Sequence, residues 1–284
     1  MAKSTIVKWL LLSVVGILFV YAVYRVRIWD ISYIVKESYR FFRLLNEMWP
    51  PDFSKFDLFV KPLLQTIQMA ILGTFLGAAM SIPLVCFGSP IIIKSPLIYG
   101  PIRVLMNLIR TIPDLLYAIL FVAAMGLGPI AGIPALAFFS CAIISKLTSE
   151  SADNINKKQI EAVESSGANT LKTISYGVMP QIWPAFIDHT IYVFELNIRV
   201  STVIAYVGAG GIGSVLITAL EWFHYSQALA VIITIFGLVV IIDIIGNKIR
   251  DATLQGRQLS QGFKIFMAVI ISTLVIWSGS SLEF

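Results

Sequence analysis

The sequence predicts an all-α fold, a polytopic bundle of about six to seven membrane-crossing helices. Composition is the first reason. Of 284 residues, 57% are hydrophobic and only 13% charged, with a mean hydropathy of +0.85. A soluble domain carries roughly a quarter of its residues as Asp, Glu, Lys or Arg. The second reason is local. No such residue occurs over 62–93, 115–145, 200–220, 222–242 or 265–282, and a membrane helix needs about 20 predominantly apolar residues. Third, these runs are continuous and lack the period-two alternation of a membrane barrel.

Seven spans are predicted, at residues 9–24, 63–87, 114–127, 133–149, 183–207, 226–245 and 263–278. The run 115–145 is too long for one helix. Gly126, Gly128, Pro129, Gly132 and Pro134 break it into two. The third span is short as drawn and is extended by 104–112, with a proline break at Pro113. Lys3 and Lys8 ahead of an apolar run resemble a signal peptide, but no small-x-small cleavage site follows, so the first span is read as an uncleaved anchor. Four regions result: an N-terminal anchor (1–27), an amphipathic outer-interface segment (28–62), a core (63–256) and a C-terminal helix (257–284).

Orientation follows from the basic residues. With the N-terminus cytoplasmic, Lys3, Lys8, Lys94, Arg103, Arg110, Lys146, Lys157, Lys158, Lys172, Lys248, Arg250, Arg257 and Lys264 lie inside or at inner span ends. Arg25, Arg27, Lys36, Arg40, Arg43, Lys55 and Lys61 fall outside and count against this assignment. The inner total is larger. The outer group belongs to a segment in which Ile31, Ile34, Tyr39, Phe41, Phe42, Leu45 and Trp49 are mixed with Lys36, Glu37, Arg40, Arg43 and Glu47. That mixture suits a helix lying on the membrane surface, or a contact for an external partner. Pro50-Pro51 ends it.

The longest hydrophilic stretch runs over 150–180, between the fourth and fifth spans. Residues 159–166 read as a short helix, Gly167 as its left-handed stop, and 168–176 as a second helix. Pro180 then opens the next span. This is more structure than a linker requires, and loops on a rigid scaffold often carry function.

Glu161-Ala162, Gly167 and Pro180 resemble the "EAA" loop of ABC importer permeases, whose form is E-A-A, three residues, G, nine residues, then I-x-L-P. The chain departs from it at Val163 (for Ala), Gly177 (for Ile) and Met179 (for Leu). Arg110-Thr-Ile-Pro-Asp-Leu-Leu-Tyr-Ala, Gly126-Leu-Gly-Pro, Tyr176-Gly-Val-Met-Pro-Gln181, Phe194-Glu-Leu-Asn-Ile-Arg199-Val-Ser-Thr and Val207-Gly-Ala-Gly-Gly-Ile-Gly213 extend the resemblance over about 63–254, toward the phosphonate branch. The resemblance implies a type I ABC importer core in the bacterial plasma (inner) membrane. It implies two permease copies, two cytosolic ABC ATPase subunits and an extracytoplasmic substrate-binding protein. The ATPases would dock at Glu161, Ala162 and Gly167, beside Lys157, Lys158 and Pro180. The implied cargo is a small oxyanion, phosphonate or a related phosphorus compound.

Charges at membrane depth are costly, about 2.5–3.5 kcal/mol each on insertion scales, and face partners or water. Arg110, Asp114, Glu195, Asn197, Arg199 and Ser201 are therefore the candidate pathway residues. Glu195 and Arg199 are four apart and can meet on one helix face, either as a self-satisfied staple or within the pathway. Gly208, Gly210, Gly211 and Gly213 form a candidate gate or turn, where backbone must bend or approach a neighbour closely.

Catalytic chemistry is not expected. Gly167-Ala-Asn-Thr-Leu-Lys172-Thr173 lacks the second glycine of a phosphate-binding loop, and Gly208-Ala-Gly210-Gly-Ile-Gly213 follows a span instead of a strand. Cys86 and Cys141 lack redox or zinc spacing, and His189 and His224 alone make no zinc set. No metal, cofactor or nucleic-acid partner is expected; lipid is. An intramembrane enzyme would need a nucleophile–base pair or metal ligands on facing spans, and no convincing set is present. A permease for another small solute, a passive channel or a secondary transporter remain as alternatives, though no convincing internal repeat is visible.

Overall fold

The computed structural model describes residues 2–25 and 31–254. Every regular element among them is helical. The chain forms two compact units, Met1–Pro51 and Asp52–Phe284.

The first unit holds α1 (Ala2–Arg25) and α2 (Ile31–Met48). Helix α1 exposes Trp9, Leu12, Ile17 and Phe19 on all sides, as a helix surrounded by lipid does. Helix α2 exposes Tyr39, Phe41, Phe42 and Leu45 and carries two ion pairs along its axis, Arg40–Glu37 at 2.7 Å and Arg43–Glu47 at 3.3 Å. Such exposed pairs steady a surface helix by a few tenths of a kcal/mol.

The second unit runs α3 (Asp57–Gly88), α4 (Pro96–Thr111), α5 (Asp114–Met125), α6 (Pro129–Asp153), α7 (Lys157–Ser165), α8 (Thr170–Thr173), a π-helical turn (Ile174–Val178), α9 (Met179–Ile204), a 3-10 turn (Ala205–Val207), α10 (Ile212–Glu221) and α11 (Tyr225–Leu254). Among the described residues, five helices are long and apolar enough to cross a membrane, or six if α4 and α5 count as one broken span. The predicted seventh span, 263–278, lies outside the described residues.

One expectation is sharpened and one changes. The third span breaks at Pro113 as predicted, so it is no straight crossing. Helices α4 and α5 meet at 84°, because Ile112 is extended ahead of Pro113; proline disfavours the helical conformation in the residue before it. Nor is the second loop helix separate from the fifth span. From Thr170 to Val207 the chain is one helical rod of 38 residues. At 1.5 Å per residue it is about 57 Å long, well beyond a hydrocarbon core of about 30 Å. The rod therefore projects from the membrane at its loop end.

Small residues set the core. Gly73 and Gly77 on α3 lie against Leu136, Ala137, Ser140 and Cys141 on α6. A Cβ at Gly77 would come within 2.6 Å of the Ala137 carbonyl and 2.9 Å of the Cys141 nitrogen. Backbone cannot yield as a side chain can, so this G-x-x-x-G pair sets the separation of the two helices. Close approach of this kind drives helix association where lipid removes the hydrophobic contrast. Helix α9 closes the group through Asn197, which is fully buried. Its Nδ2 donates to Thr74 Oγ1 on α3 and Ser140 Oγ on α6, each at 2.7 Å.

Candidate functional site

The loop 150–180 is built by caps. Asn156 precedes α7 and its Oδ1 accepts the Lys158 N–H at 3.0 Å. Asn169 does the same for α8, accepting from Lys172 at 3.0 Å. A capping side chain of this type is worth about 1 kcal/mol. Gly167 stands between the two helices at φ +83°, with open space where a Cβ would go. Its requirement is conformational, since left-handed backbone costs other residues about 1 kcal/mol or more.

The root of the loop is clamped by Gln181. Its Oε1 accepts the Asn156 N–H at 2.9 Å, and its Nε2 donates to the Gly177 carbonyl at 2.7 Å. Beneath α7, Ile155 and Ile160 pack on a buried cluster of Ala152, Val178 and Ile182, which Ile91 and Ile92 also cover. The α7 helix is thus seated on the projecting end of the rod. The π turn at the seat widens the helix by one residue, a distortion that recurs at functional positions.

The outward face is polar with an apolar edge. Lys157, Lys158, Glu161, Ala162 and Pro180 are exposed. Leu171 and Tyr176 are more so, at 75% and 73%. Large side chains this exposed beside charged groups suit a contact with another protein.

The predicted pathway residues separate into two groups. Glu195 and Arg199 do not pair with each other. Glu195 receives Arg250 Nη2 at 3.3 Å on both carboxylate oxygens, and Arg199 holds Asp243 at 3.0 Å. Both partners lie on α11. Arg250 Nε also sits 2.8 Å from Asp188 Oδ1, an ionic contact whose N–H is not aimed for a hydrogen bond. Gly246 is needed here, because a Cβ there would overlap the Glu195 carboxylate. His189 turns to Ser151 on α6 at 3.0 Å. Ser201 is buried and donates to the Ile198 carbonyl at 2.7 Å. With Asn197 in the core, all of these except Ser201, whose bond stays within α9, join helices to one another. Asp114 accepts its neighbour Leu115's N–H at the start of α5. Arg110 differs from all of them: it is exposed, with no carboxylate within 4 Å among the described residues.

The glycine run forms a packed knot at the end opposite the loop. Gly208, Gly210 and Gly211 have φ of +86°, +78° and +82°. The Gly208 carbonyl accepts from Gly128 at 2.8 Å, and the Ile212 N–H donates to Thr66 Oγ1 at 2.8 Å. Gly213 lies against Thr202 and Ala205. Helical chain precedes this run, which is the wrong setting for dinucleotide binding.

Residues 73–255 match the family described as "Binding-protein-dependent transport system inner membrane component". The chain belongs to that family. It is a permease subunit of an ABC importer, an integral membrane protein with several crossings. Among its relatives are the phosphite transport system permease protein of Stutzerimonas stutzeri, 34% identical over 207 residues, covering 73% of this chain and 75% of the relative. The phosphate-import permease protein of Mycolicibacterium smegmatis is 36% identical over 210 residues, covering 73% of this chain but only 39% of that longer protein. Among solved structures, an inward-facing conformation of the MetNI methionine ABC transporter superposes with a TM-score of 0.62 at 21% identity, over 71% of this chain and 99% of that one. That likeness concerns the fold.

The permease's departures from the loop motif acquire a physical reason. A Cβ at Gly177 would sit 3.4 Å from Ile160 Cα and 3.7 Å from Val163 Cγ2. Both are ordinary contact distances, so a Cβ would fit there and a longer side chain would extend along Ile160 and Val163. A bigger side chain on α7 is matched by a smaller one under it. Sequence reading missed this exchange, and also Arg250, Asp243, Gly246, Thr74 and Ser140. The Gly73–Gly77 spacing was a readable signal. The cross-helix partners had none, because 123 residues separate Thr74 from Asn197.

Proposed function

We propose that this permease carries a small phosphorus oxyanion inward, with the α7 loop as the seat of a cytosolic ATPase. One observation carries the docking half: a capped helix with exposed Glu161 and Ala162, seated on the free end of a 38-residue rod that itself exposes Leu171 and Tyr176. Force applied at the seat reaches the membrane core without a flexible joint between them. ATPase closure then moves α9 and its partners as a body, and the two positions of that body expose the pathway to opposite sides. Two permease copies, two ATPases and an external binding protein complete the machine, with the N-terminus and the loop cytoplasmic. Gly208–Gly213 acts at the outer end as the turn about which the rod's far end is held.

The relatives named for phosphite and phosphate transport, together with the basic chain, support a phosphorus oxyanion as cargo. The test reconstitutes the permease with its ATPase and binding protein and measures uptake of labelled phosphite, phosphate and methylphosphonate. ATP-dependent uptake of at least one is expected. Replacing Glu161→Lys together with Gly167→Val should release the ATPase and lower uptake at least about tenfold. Intact assembly and uptake in that double variant would remove the docking role. Uptake by the permease without an ATPase would favour a channel.

A further inference from the structure

Arg110 is the one pathway candidate left without a protein partner among the described residues. Arg103, seven residues earlier on α4, is held at the loop end by Asp153 at 2.6 Å and by the Gly88 carbonyl at 2.8 Å. Seven residues of helix place Arg110 about 10 Å along α4 from Arg103, at the apolar level of Phe139 and Leu147 of α6 and Leu196 of α9. There it sits just before the 84° break between α4 and α5. A guanidinium at such depth cannot face lipid without a large cost, so it faces water or an anion.

The surroundings supply that water. Arg110 borders a cavity of about 300 Å³ between α4, α5, α6 and α9, shared with Tyr117, Phe139, Leu147, Tyr192 and Leu196. No carboxylate lines it. A low-dielectric pocket holding a single sign of charge concentrates ions of the other sign. The Tyr117 hydroxyl is already spent, donating to the Ile109 carbonyl at 2.7 Å. The Tyr192 hydroxyl has no hydrogen-bond partner among the described residues. The cavity therefore offers a planar, multi-donor cation and one free O–H, with aromatic and aliphatic walls. Planar guanidinium forks match the oxygens of phosphate and phosphonate groups.

We propose that Arg110 and Tyr192 form a transient oxyanion-binding station inside the permease, through which the cargo passes. The station rests on the phosphorus-oxyanion reading above. It is built for brief occupancy: one cation with one hydroxyl, against the several donors of a high-affinity anion site, lets the cargo leave again. Glu195 and Arg199 are excluded from this role because each is already bound to α11, and Asp114 because its charge repels an anion.

Two experiments test it. In the first, assembled permease complexes, matched for amount, are compared for uptake of labelled phosphite and phosphate. Arg110→Gln should lower uptake about tenfold or more, Arg110→Lys less, and Tyr192→Phe about threefold. Uptake by Arg110→Gln within twofold of the parent overturns the station and leaves the cargo reading standing. A parent complex that moves none of the phosphorus oxyanions overturns the cargo reading itself. The second experiment does not depend on cargo. Leu196→Cys places a thiol on the cavity wall, and its conversion to a mixed disulfide, with release of sulfinate, is compared with a parent carrying only Cys86 and Cys141. An anionic thiosulfonate reagent should react about tenfold faster than a cationic one, and the ratio should collapse when Arg110→Gln is added. Equal rates for both reagents overturn the station, as when a carboxylate from a second copy neutralises Arg110.

Discussion

The α7 loop and the α3–α6–α9 centre are both rigid, by opposite means. The centre is rigid because nothing larger than hydrogen fits at Gly73 and Gly77, and because Asn197 ties three helices with two short hydrogen bonds. The loop buries none of the residues of α7. Its order comes from two asparagine caps, one left-handed glycine and the Gln181 clamp. A surface proposed to meet another subunit cannot hide its side chains, so its shape is held at its ends by side-chain oxygens that accept from backbone N–H groups. The comparison separates stability from coupling: the centre holds the fold, and in the docking proposed above the loop would transmit through it.

Substitutions in the centre should cost stability first. Gly77→Val forces α3 from α6 against immovable backbone, and overpacking at such a site costs about 3 kcal/mol or more. Little folded permease should be recovered, and its melting point in detergent should fall steeply. A normal melt would mean that α3 and α6 have slack. Arg250→Met strands Glu195 and Asp188, with an expected loss of roughly 3 kcal/mol. Restoring the balance with Glu195→Gln and Asp188→Asn should recover much of it; no recovery would assign the loss to packing. Asn197→Ala leaves Thr74 and Ser140 without their donor. Hydrogen bonds between membrane helices average below about 1 kcal/mol each, so a total near 1–2 kcal/mol is expected by thermal melt.

The loop should show the reverse. Asn156→Ala removes a cap worth about 1 kcal/mol locally, yet the melting of the bundle should stay within a degree or two. ATP-driven uptake should fall several-fold, because the seat frays where force enters. Equal losses of melting temperature and uptake would erase the distinction between the two regions.

Much of this was legible in the sequence. Charge-free runs located the long helices, and Gly167 and Pro180 marked two of the loop's joints; the cap at Asn156 was missed, because the helix was placed from 159 and begins at Lys157. Pro113 announced a break, though its 84° angle depends on what α4 and α5 pack against. The rod from Thr170 to Val207 was hidden because Pro180 reads as a start, while at the first turn of a helix proline also continues a preceding one through a π turn. The ion pairs were misread for a different reason. Glu195 and Arg199 satisfy a local rule at i,i+4, but α11 presents Asp243 and Arg250 to the same face at full length. Local spacing identifies which charges share a face and leaves open who answers them.

The fit of Val163 over Gly177 carries a lesson about how such a subunit drifts over generations. A Cβ at 177 would already touch Ile160 Cα at 3.4 Å and Val163 Cγ2 at 3.7 Å, so the isoleucine usual in the family would reach out among α7 side chains that trimming Val163 alone clears only in part. Positions 160, 163 and 177 share one contact and are expected to drift together. A consensus-guided redesign that edits them independently would meet crowding that no single position displays by itself.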